Sequence, residues 1–214
     1  METNIKIAVI GGTGKAGKYL IKQFAVKGLA FKVLLRDSSN FEDYGVNPEI
    51  IQGNVDNYHS VIELLTGCDV VISMLGMGVS PNPTNIFSTA TTNIIRAMKQ
   101  LSISRYIVIT GLNVDTPFDD KSEAIKAATA WMLTHYPETT RDKQLEYEIL
   151  TKSTIDWTLI RLPMIAQTGD NPPINIRLED CPGDRISATA LANFIINQID
   201  SDTYKRKAPF IANT

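Results

Sequence analysis

The feature that most constrains the fold is an apolar run that leads directly into evenly spaced glycines near the start of the chain. The apolar run spans residues 7–10, and Gly11, Gly14 and Gly17 follow at intervals of three. A pattern typical of a helix comes next. Gly11 would make the tight turn out of a strand, Gly14 would let the backbone approach a pyrophosphate, and Gly17 would let the helix pack close to the sheet. This order predicts a dinucleotide-binding strand, turn and helix.

The turn between this strand and helix carries the groups that would bind phosphate. N–H groups at a helix start have no partner within the helix, and the helix dipole favours anions there. We expect contacts from the residues of the turn and of the helix start, namely Gly11, Thr13, Gly14, Lys15, Ala16 and Gly17. The alternative is a purely structural turn, but the strand that follows favours a cofactor.

The end of the second predicted strand, residues 31–36, indicates which dinucleotide is bound. An acidic residue at this point hydrogen-bonds the ribose 2′-hydroxyl of NAD, whereas an arginine accommodates the 2′-phosphate of NADP. The strand ends in Arg36, which is followed by Asp37 and Ser38. Arg36 and Ser38 can both bind phosphate, so NADP(H) is preferred. Asp37 leaves NAD(H) possible.

Length and charge exclude several classes of protein. The chain has 214 residues and a formal net charge of −2. It has no apolar run of about 18 residues, so no transmembrane helix is expected. The only cysteines, Cys68 and Cys181, are too far apart in sequence to suggest a metal motif. We expect a cytoplasmic protein, a monomer or weak dimer, that binds neither nucleic acid nor membrane nor metal.

Strand and helix patterns alternate along most of the chain, which predicts an α/β fold. The expected architecture is a Rossmann-like, doubly wound parallel sheet with helices on both faces, in a single domain over residues 1–214. Its substrate end would come from about 111–185. Strands are predicted at 5–10, 31–36, 50–54, 70–74, 106–110 and 157–161, with an edge strand at 209–212. Helices are predicted at 15–27, 57–65, 85–100, 122–135, 140–151 and 187–199, and residues 163–182 are expected to be irregular.

In such a sheet the ligand binds beyond the carboxyl ends of the strands, where the strand order reverses. The predicted site is therefore a set of residues that follow the strands. We expect Asn54 and Val55 to lie against the adenine. Leu75 and Gly76 would lie beneath the adenosine or pyrophosphate. The nicotinamide would be flanked by Thr110 and Pro163 and by the residues after them, Gly111 and Met164.

These residues resemble the atypical short-chain dehydrogenase/reductase superfamily. The resemblance is strongest to its NmrA-like NAD(P)-binding proteins and to the group of biliverdin reductase B and the flavin reductases. It covers nearly the whole chain, with residues 36–39 and 161–163 as its more specific parts, and it includes Ser80 and Pro81. The resemblance implies either a reductase of flavins, biliverdins or quinones that uses NADPH, or an NADP(H)-binding protein without known chemistry.

The chain departs from that group at the substrate end. The flavin reductase group has a serine after the threonine that ends the fifth strand, where this chain has Gly111. It has histidines at the positions of Tyr147 and Met164. Asn54 replaces the usual aspartate but keeps a hydrogen-bonding side chain of similar size. A specificity for biliverdin or flavin therefore does not carry over.

Tyr147 is the candidate proton donor. Many members of the superfamily use a Tyr-x-x-x-Lys motif, in which four-residue spacing places both side chains on one helix face. Lys152 comes five residues after Tyr147, roughly 140° around the helix. Lys143, four residues before it, shares its face and is the candidate partner. The alternative is that Tyr147 only shapes the pocket, and Glu146 and Glu148 are expected to be surface charges.

Without a well-placed acid, the chain favours hydride transfer to a flat, electron-poor ring, because protonation can then come from solvent. Met74, Met77, Met164 and Ile165 would form an apolar surface for the ring, or would simply fill the core. We expect a reductase of a flavin or quinone. A redox-sensing regulator without turnover is the alternative. A sugar-nucleotide epimerase is disfavoured, because Tyr-x-x-x-Lys is missing.

Replacing Arg36 with alanine is expected to weaken NADPH binding by about tenfold or more and NADH binding little, because only NADPH carries the 2′-phosphate. Nicotinamide fluorescence gives both dissociation constants. Lys27→Ala, at the far end of the first predicted helix, controls for the change in net charge. Equal affinities for the two cofactors before and after the Arg36 substitution would contradict the role of Arg36.

Overall fold

The computed structural model describes residues 5–77 and 84–213. Ser80 and Pro81, which form part of the resemblance, lie outside the described residues. The described strands are β1 Lys6–Ile10, β2 Ala30–Leu35, β3 Glu49–Gln52, β4 Val70–Ser73, β5 Arg105–Gly111, β6 Asp156–Leu162, β7 Met164–Ala166, β8 Ile174–Arg177, β9 Arg185–Ser187 and β10 Phe210–Asn213. The described helices are α1 Gly17–Lys27, α2 Tyr58–Leu65, α3 Ile86–Leu101, α4 Glu123–His135, α5 Pro137–Lys152 and α6 Ala188–Asn197, with a short 3₁₀ turn at Ser38–Asn40.

Eight strands form one sheet in the order β3-β2-β1-β4-β5-β6-β10-β8. Strands β1 to β6 and β10 run parallel to one another. Strand β8 pairs antiparallel with β10 at one edge. Strands β7 and β9 form a separate parallel pair. The order reverses between β1 and β4, which is the position where such sheets bind ligands. The Rossmann-like α/β fold predicted above is confirmed.

The sheet is covered on both faces. Alternate residues of β1 point to opposite faces, with Ala8 and Ile10 in one apolar cluster and Ile7 and Val9 in the other. The first cluster is completed by residues of α2, α3 and α5, and the second by residues of α1 and α6. Every residue of β4 is buried, as expected for a central parallel strand covered on both sides.

The boundary between the two helices after β5 differs from the prediction. Helix α5 begins at Pro137 rather than at residue 140, and Tyr136 alone separates it from α4. Proline is well suited to the first position of a helix, because its missing N–H would have no partner there. The expected break between the two helices is therefore the single residue Tyr136, and α5 follows α4 directly.

Two predictions for the C-terminal region are wrong. Residues 163–182 are not irregular, because they contain β7 and β8. Strand β10 is not at an edge, because β8 pairs along its outer side. Ile174 and Ile176 alternate with polar residues and pack on the second apolar cluster. This alternation is typical of a strand, although it lies among prolines and loop residues.

A buried arginine ties this region to the sheet. Arg161 of β6 is 1% exposed. Its Nη1 lies 2.7 and 2.8 Å from the two carboxylate oxygens of Asp119. Nε donates to the Ala208 carbonyl oxygen at 2.9 Å, and Nη2 donates to the Leu178 carbonyl oxygen at 2.8 Å. The guanidinium also stacks 3.5 Å above the ring of Phe210. One side chain thus joins the loop after β5 to the ends of β8 and β10.

Helix α4 is loosely attached in comparison. None of its residues is fully buried, and Trp131 and Leu133 are exposed by 52% and 45%. Thr140 at the start of α5 donates to the Met132 carbonyl oxygen at 3.2 Å. Across 5–77 and 84–213, no helix combines the length and apolar character needed to cross a membrane.

Gly17→Ala is expected to destabilise the fold by several kcal/mol, because a β carbon there would overlap the backbone of Gly11 and Gly12. Gly169→Ala is the matched control, since a β carbon at that position meets nothing within 4 Å. Urea unfolding of both variants measures the difference. Similar midpoints for the two variants would contradict the close packing of α1 on the turn.

Candidate functional site

The turn after β1 is shaped by close backbone contacts. Gly11 has φ +75°, a conformation that side chains rarely adopt. A β carbon on Gly11 would also lie 2.7 Å from the carbonyl carbon and oxygen of Met74, just beyond β4. The backbone after β4 therefore presses against the turn, and only glycine satisfies both the dihedral angle and the available space.

The start of α1 is open to a ligand. Its first turn contains no acidic residue, and within the described chain no side chain caps it at Ala16. Thr13, Gly14 and Lys15 are exposed, whereas Ala16 and Gly17 are buried against the turn. An uncapped helix start beside an exposed lysine attracts an anion. The geometry fits a pyrophosphate bound by the backbone of residues 11–17.

The end of β2 separates the roles of Arg36 and Asp37. Arg36, Asp37 and Ser38 are all exposed. The Asp37 carboxylate accepts hydrogen bonds from the Ser39 backbone N–H at 2.9 Å and from its hydroxyl at 2.7 Å. These bonds lower the pKa of Asp37. Its carboxylate thus caps the 3₁₀ turn, and the binding of a 2′-phosphate by Arg36 and Ser38 stays a prediction.

The end of β3 is arranged differently from the simple expectation. Asn54 is partly buried, and its side-chain oxygen accepts from the Val55 backbone N–H at 2.8 Å. The side chain of Val55 is 3% exposed and belongs to the core. Asn93 of α3, to which we gave no role of its own, donates to the Val55 and Asp56 carbonyl oxygens at 3.1 and 3.0 Å. It thereby holds the turn next to the predicted adenine position.

The residues after β4 and β6 form the apolar part of this edge. Met77 and Met164 are exposed by 41% and 75%. Leu75 is partly buried, Gly76 is exposed and Pro163 is buried. Only Met77 and Met164 of the four residues expected to form an apolar surface are exposed. Met74 is 4% exposed and lies in the core, and Ile165 is partly buried against that core.

Two polar groups at the end of β5 are buried without partners. Thr110 and Asn113 are each 4% exposed. Among the described residues, neither the Thr110 hydroxyl nor the amide nitrogen of Asn113 has a hydrogen-bond partner. Buried polar groups of this kind are uncommon in proteins and call for an explanation, such as a ligand. The sequence predicted that residues 110–113 lie at this strand end and gave Thr110 a role, but it gave Asn113 no role of its own.

Tyr147 and Lys143 of α5 pack against different elements. The ring of Tyr147 packs edge-on against Trp157, with centroids 6.1 Å apart, and burial raises the pKa of Tyr147. The ammonium of Lys143 lies 4.9 Å above the ring of Phe87, near the start of α3. Burial lowers the pKa of Lys143, while Glu146 and Asp142 oppose the shift. Because α5 runs from the carboxyl side of the sheet towards the start of β6, Lys143 is one turn nearer the candidate site.

Glu146 is not a surface charge, contrary to the prediction. It is 2% exposed and accepts a hydrogen bond from the Thr91 hydroxyl at 2.8 Å. Within the described residues, its second carboxylate oxygen has no partner. Burial raises the pKa of Glu146 to about 8. Sequence spacing could not show this burial, because it depends on how α3 and α5 meet.

Asp142 strengthens the same helix contact. It accepts from the backbone N–H groups of Phe87 and Ser88 at 2.8 and 3.3 Å, and so caps α3 from a neighbouring helix.

The fold brings the ends of β1, β4, β5 and β6 together at one edge of the sheet. It places Tyr147 within the packing behind that edge.

Comparisons with known proteins show the family to which this chain is related. A sequence profile of the NAD(P)H-binding family matches residues 11–202. An isoflavone reductase homolog from Nicotiana tabacum is 32% identical over 114 residues, which cover 48% of this chain and 34% of that protein. Phenylcoumaran benzylic ether reductase 1 from Arabidopsis thaliana is 34% identical over 87 residues, which cover 36% and 28% respectively. The match spans about a third of the length of these relatives.

A solved structure supports the fold independently. A short-chain dehydrogenase/reductase from Veillonella parvula, in complex with NADP, aligns with a TM-score of 0.77 at 13% identity. The alignment covers 98% of this chain and 94% of that one. Because the family profile extends over most of the sequence, the chain belongs to the NAD(P)H-binding family. The uncapped helix start and the close-packed glycine turn fit such a cofactor.

Glu146→Gln is expected to reduce the pH dependence of stability. Unfolded Glu146 loses its proton near its ordinary pKa of 4.5, whereas the folded protein holds it to about 8. Between these values the folded state binds more protons, so stability falls as pH rises, by up to about 1.4 kcal/mol per pH unit. Urea unfolding across this window measures the slope.

Glu148→Gln is the matched control for this experiment, because Glu148 is exposed on the same helix. It is expected to keep the pH dependence of the unmodified protein. If Glu146→Gln leaves the slope between about pH 5 and pH 8 unchanged as well, Glu146 is not protonated in the folded state.

Proposed function

We propose that this protein is an NADPH-dependent reductase that transfers a hydride to a flat acceptor such as a flavin or quinone. The observation that carries the proposal is the pair of exposed methionines, Met77 and Met164, which follow β4 and β6 on either side of β5. Exposed apolar side chains grouped beside a binding site favour an apolar ligand. Methionine adapts its shape readily to an aromatic ring.

The chain's own residues would bind and orient the two reactants. Reduced nicotinamide supplies the hydride when it is bound. The backbone of residues 11–17 and Lys15 would hold the pyrophosphate, while Arg36 and Ser38 would hold the 2′-phosphate. Asn54, with Asn93 behind it, would position the adenine end. Met77 and Met164 would cover the acceptor and exclude water from its face.

The names of the curated relatives are consistent with this reaction class. They include an isoflavone reductase homolog and a phenylcoumaran benzylic ether reductase. Both names describe reductases, which supports the proposed hydride transfer. The flavin reductase resemblance of the sequence favours flavins and quinones among such acceptors, while Gly111 and Met164 replace that group's polar residues.

The first experiment is a titration of the purified protein with NADPH and with NADH, followed by addition of FMN or a simple quinone. Nicotinamide fluorescence reports binding, and its loss on addition of the acceptor reports oxidation. We expect tighter binding of NADPH and oxidation by at least one flat acceptor. Tight binding without oxidation by any of them would contradict the reductase.

Tyr147→Phe and Lys143→Met are each expected to change the turnover of a quinone by no more than about threefold, because the reduced ring can take its proton from solvent. Steady-state kinetics with NADPH in excess gives turnover, and nicotinamide fluorescence confirms that cofactor binding is unchanged. A loss of about a hundredfold in either variant would instead identify that residue as the proton donor.

The alternative is a regulator that binds NADP(H) without turnover and docks onto another protein, as in the NmrA-like resemblance. One observation favours it. Helix α4 exposes Trp131 and Leu133 and buries none of its residues completely. Tight cofactor binding together with no acceptor in the titration would support this alternative.

A further inference from the structure

The side-chain amide of Asn113 is a feature of the candidate site that the proposed reaction leaves unused. Asn113 lies two residues beyond β5 and is 4% exposed. Within the described residues its Nδ2 has no hydrogen-bond partner. An unpaired buried N–H destabilises a protein unless a ligand accepts its hydrogen bond. Its position at a strand end suggests that such a ligand binds there.

Gly111 determines where this amide lies. A β carbon on residue 111 would overlap Oδ1 of Asn113. The amide therefore fills the space that any side chain at position 111 would take. The chain turns tightly here, since the Val114 backbone N–H donates to the Gly111 carbonyl oxygen at 3.3 Å. Asn113 is thus folded back against the end of β5 instead of extending into solvent.

The sheet order indicates which part of a bound dinucleotide this amide would meet. Strands lie side by side in the order β2-β1-β4-β5. Arg36 follows β2 and marks the adenosine end, and the glycine turn after β1 marks the pyrophosphate. A dinucleotide extended along this edge brings its nicotinamide half to the ends of β4 and β5. That half carries a carboxamide oxygen, which is a suitable acceptor for an amide N–H.

We propose that Asn113 Nδ2 donates a hydrogen bond to the carboxamide oxygen of the nicotinamide, and that Gly111 leaves the space for Asn113 to do so. The carboxamide makes the two edges of the ring different. A hydrogen bond to it therefore fixes which face of the ring is turned towards the acceptor. The proposal rests on the cofactor site of the proposed function but is independent of the acceptor's identity.

The test compares two ligands on the whole protein: NADPH, and 2′-phospho-ADP-ribose, which lacks the nicotinamide ring. Asn113→Ala is expected to weaken NADPH by about tenfold, the typical effect of one lost hydrogen bond, and to leave the shorter ligand within about twofold. Protein fluorescence or calorimetry gives both dissociation constants without turnover. Asn175→Ala, on the edge strand β8, is the matched control and is expected to change neither constant.

Gly111→Ala tests the spatial part of the proposal. The added methyl group is expected to displace the Asn113 amide and to weaken NADPH about as much as Asn113→Ala does. The double variant should then be no weaker than either single variant, because both changes remove the same contact. Thermal unfolding of each variant identifies any loss due to misfolding.

Equal weakening of both ligands by Asn113→Ala, or no weakening of either, would overturn the proposal. Additive losses in the double variant would also overturn it. An unmodified protein that binds neither ligand would overturn it together with the NADPH site. Binding without reduction of a flavin or quinone would remove only the proposed acceptor and would leave this result standing.

Discussion

The guanidinium of Arg161 is the interaction on which the second half of the structure depends. It reaches Asp119 in the loop after β5, the backbone after β8 and the backbone before β10. Burial lowers the pKa of Arg161, while the Asp119 carboxylate opposes that shift. Loss of one partner from a buried ion pair typically costs about 3–5 kcal/mol, because the other charge is left without compensation. The loop that carries Asn113 is therefore fixed through a charge on the neighbouring strand.

The two ends of the site are built in different ways. The cofactor end comes from β1, α1 and β2, which follow one another in sequence and are joined by a turn with almost no free space. The proposed acceptor end is assembled from the residues after β4, β5 and β6 and from the segments that Arg161 holds. A substitution at the first end would thus act on a local turn. A substitution at the second end would act through contacts between distant parts of the chain.

This difference explains what sequence reasoning could predict. Short stretches of sequence encode the glycine turn, Arg36 at the end of a strand, and the alternation of strands and helices. The fold class followed from these local patterns. Asn57 and Ser187, the first residues of the helices predicted at 57–65 and 187–199, both accept backbone hydrogen bonds as N-caps. The burial of Glu146 could not be predicted, because it arises where α5 meets Thr91 of α3.

Sequence reasoning gave Asn113 no role of its own for a related reason. Nothing in its own neighbours distinguishes it from a loop asparagine, and its position is defined by the absence of a side chain at Gly111. The sequence did show that Gly111 departs from the flavin reductase pattern. What the structure adds is that the space left by this departure is filled by another polar group of the same turn.

Helix α4 follows the loop beyond β5 and leads into α5, so both of its ends connect to the carboxyl side of the sheet. Since none of its residues is fully buried, its sequence is only weakly restricted by the core. Evolution can change the surface that α4 presents with little loss of folding free energy. This surface can therefore diverge while the sheet and the glycine turn are kept.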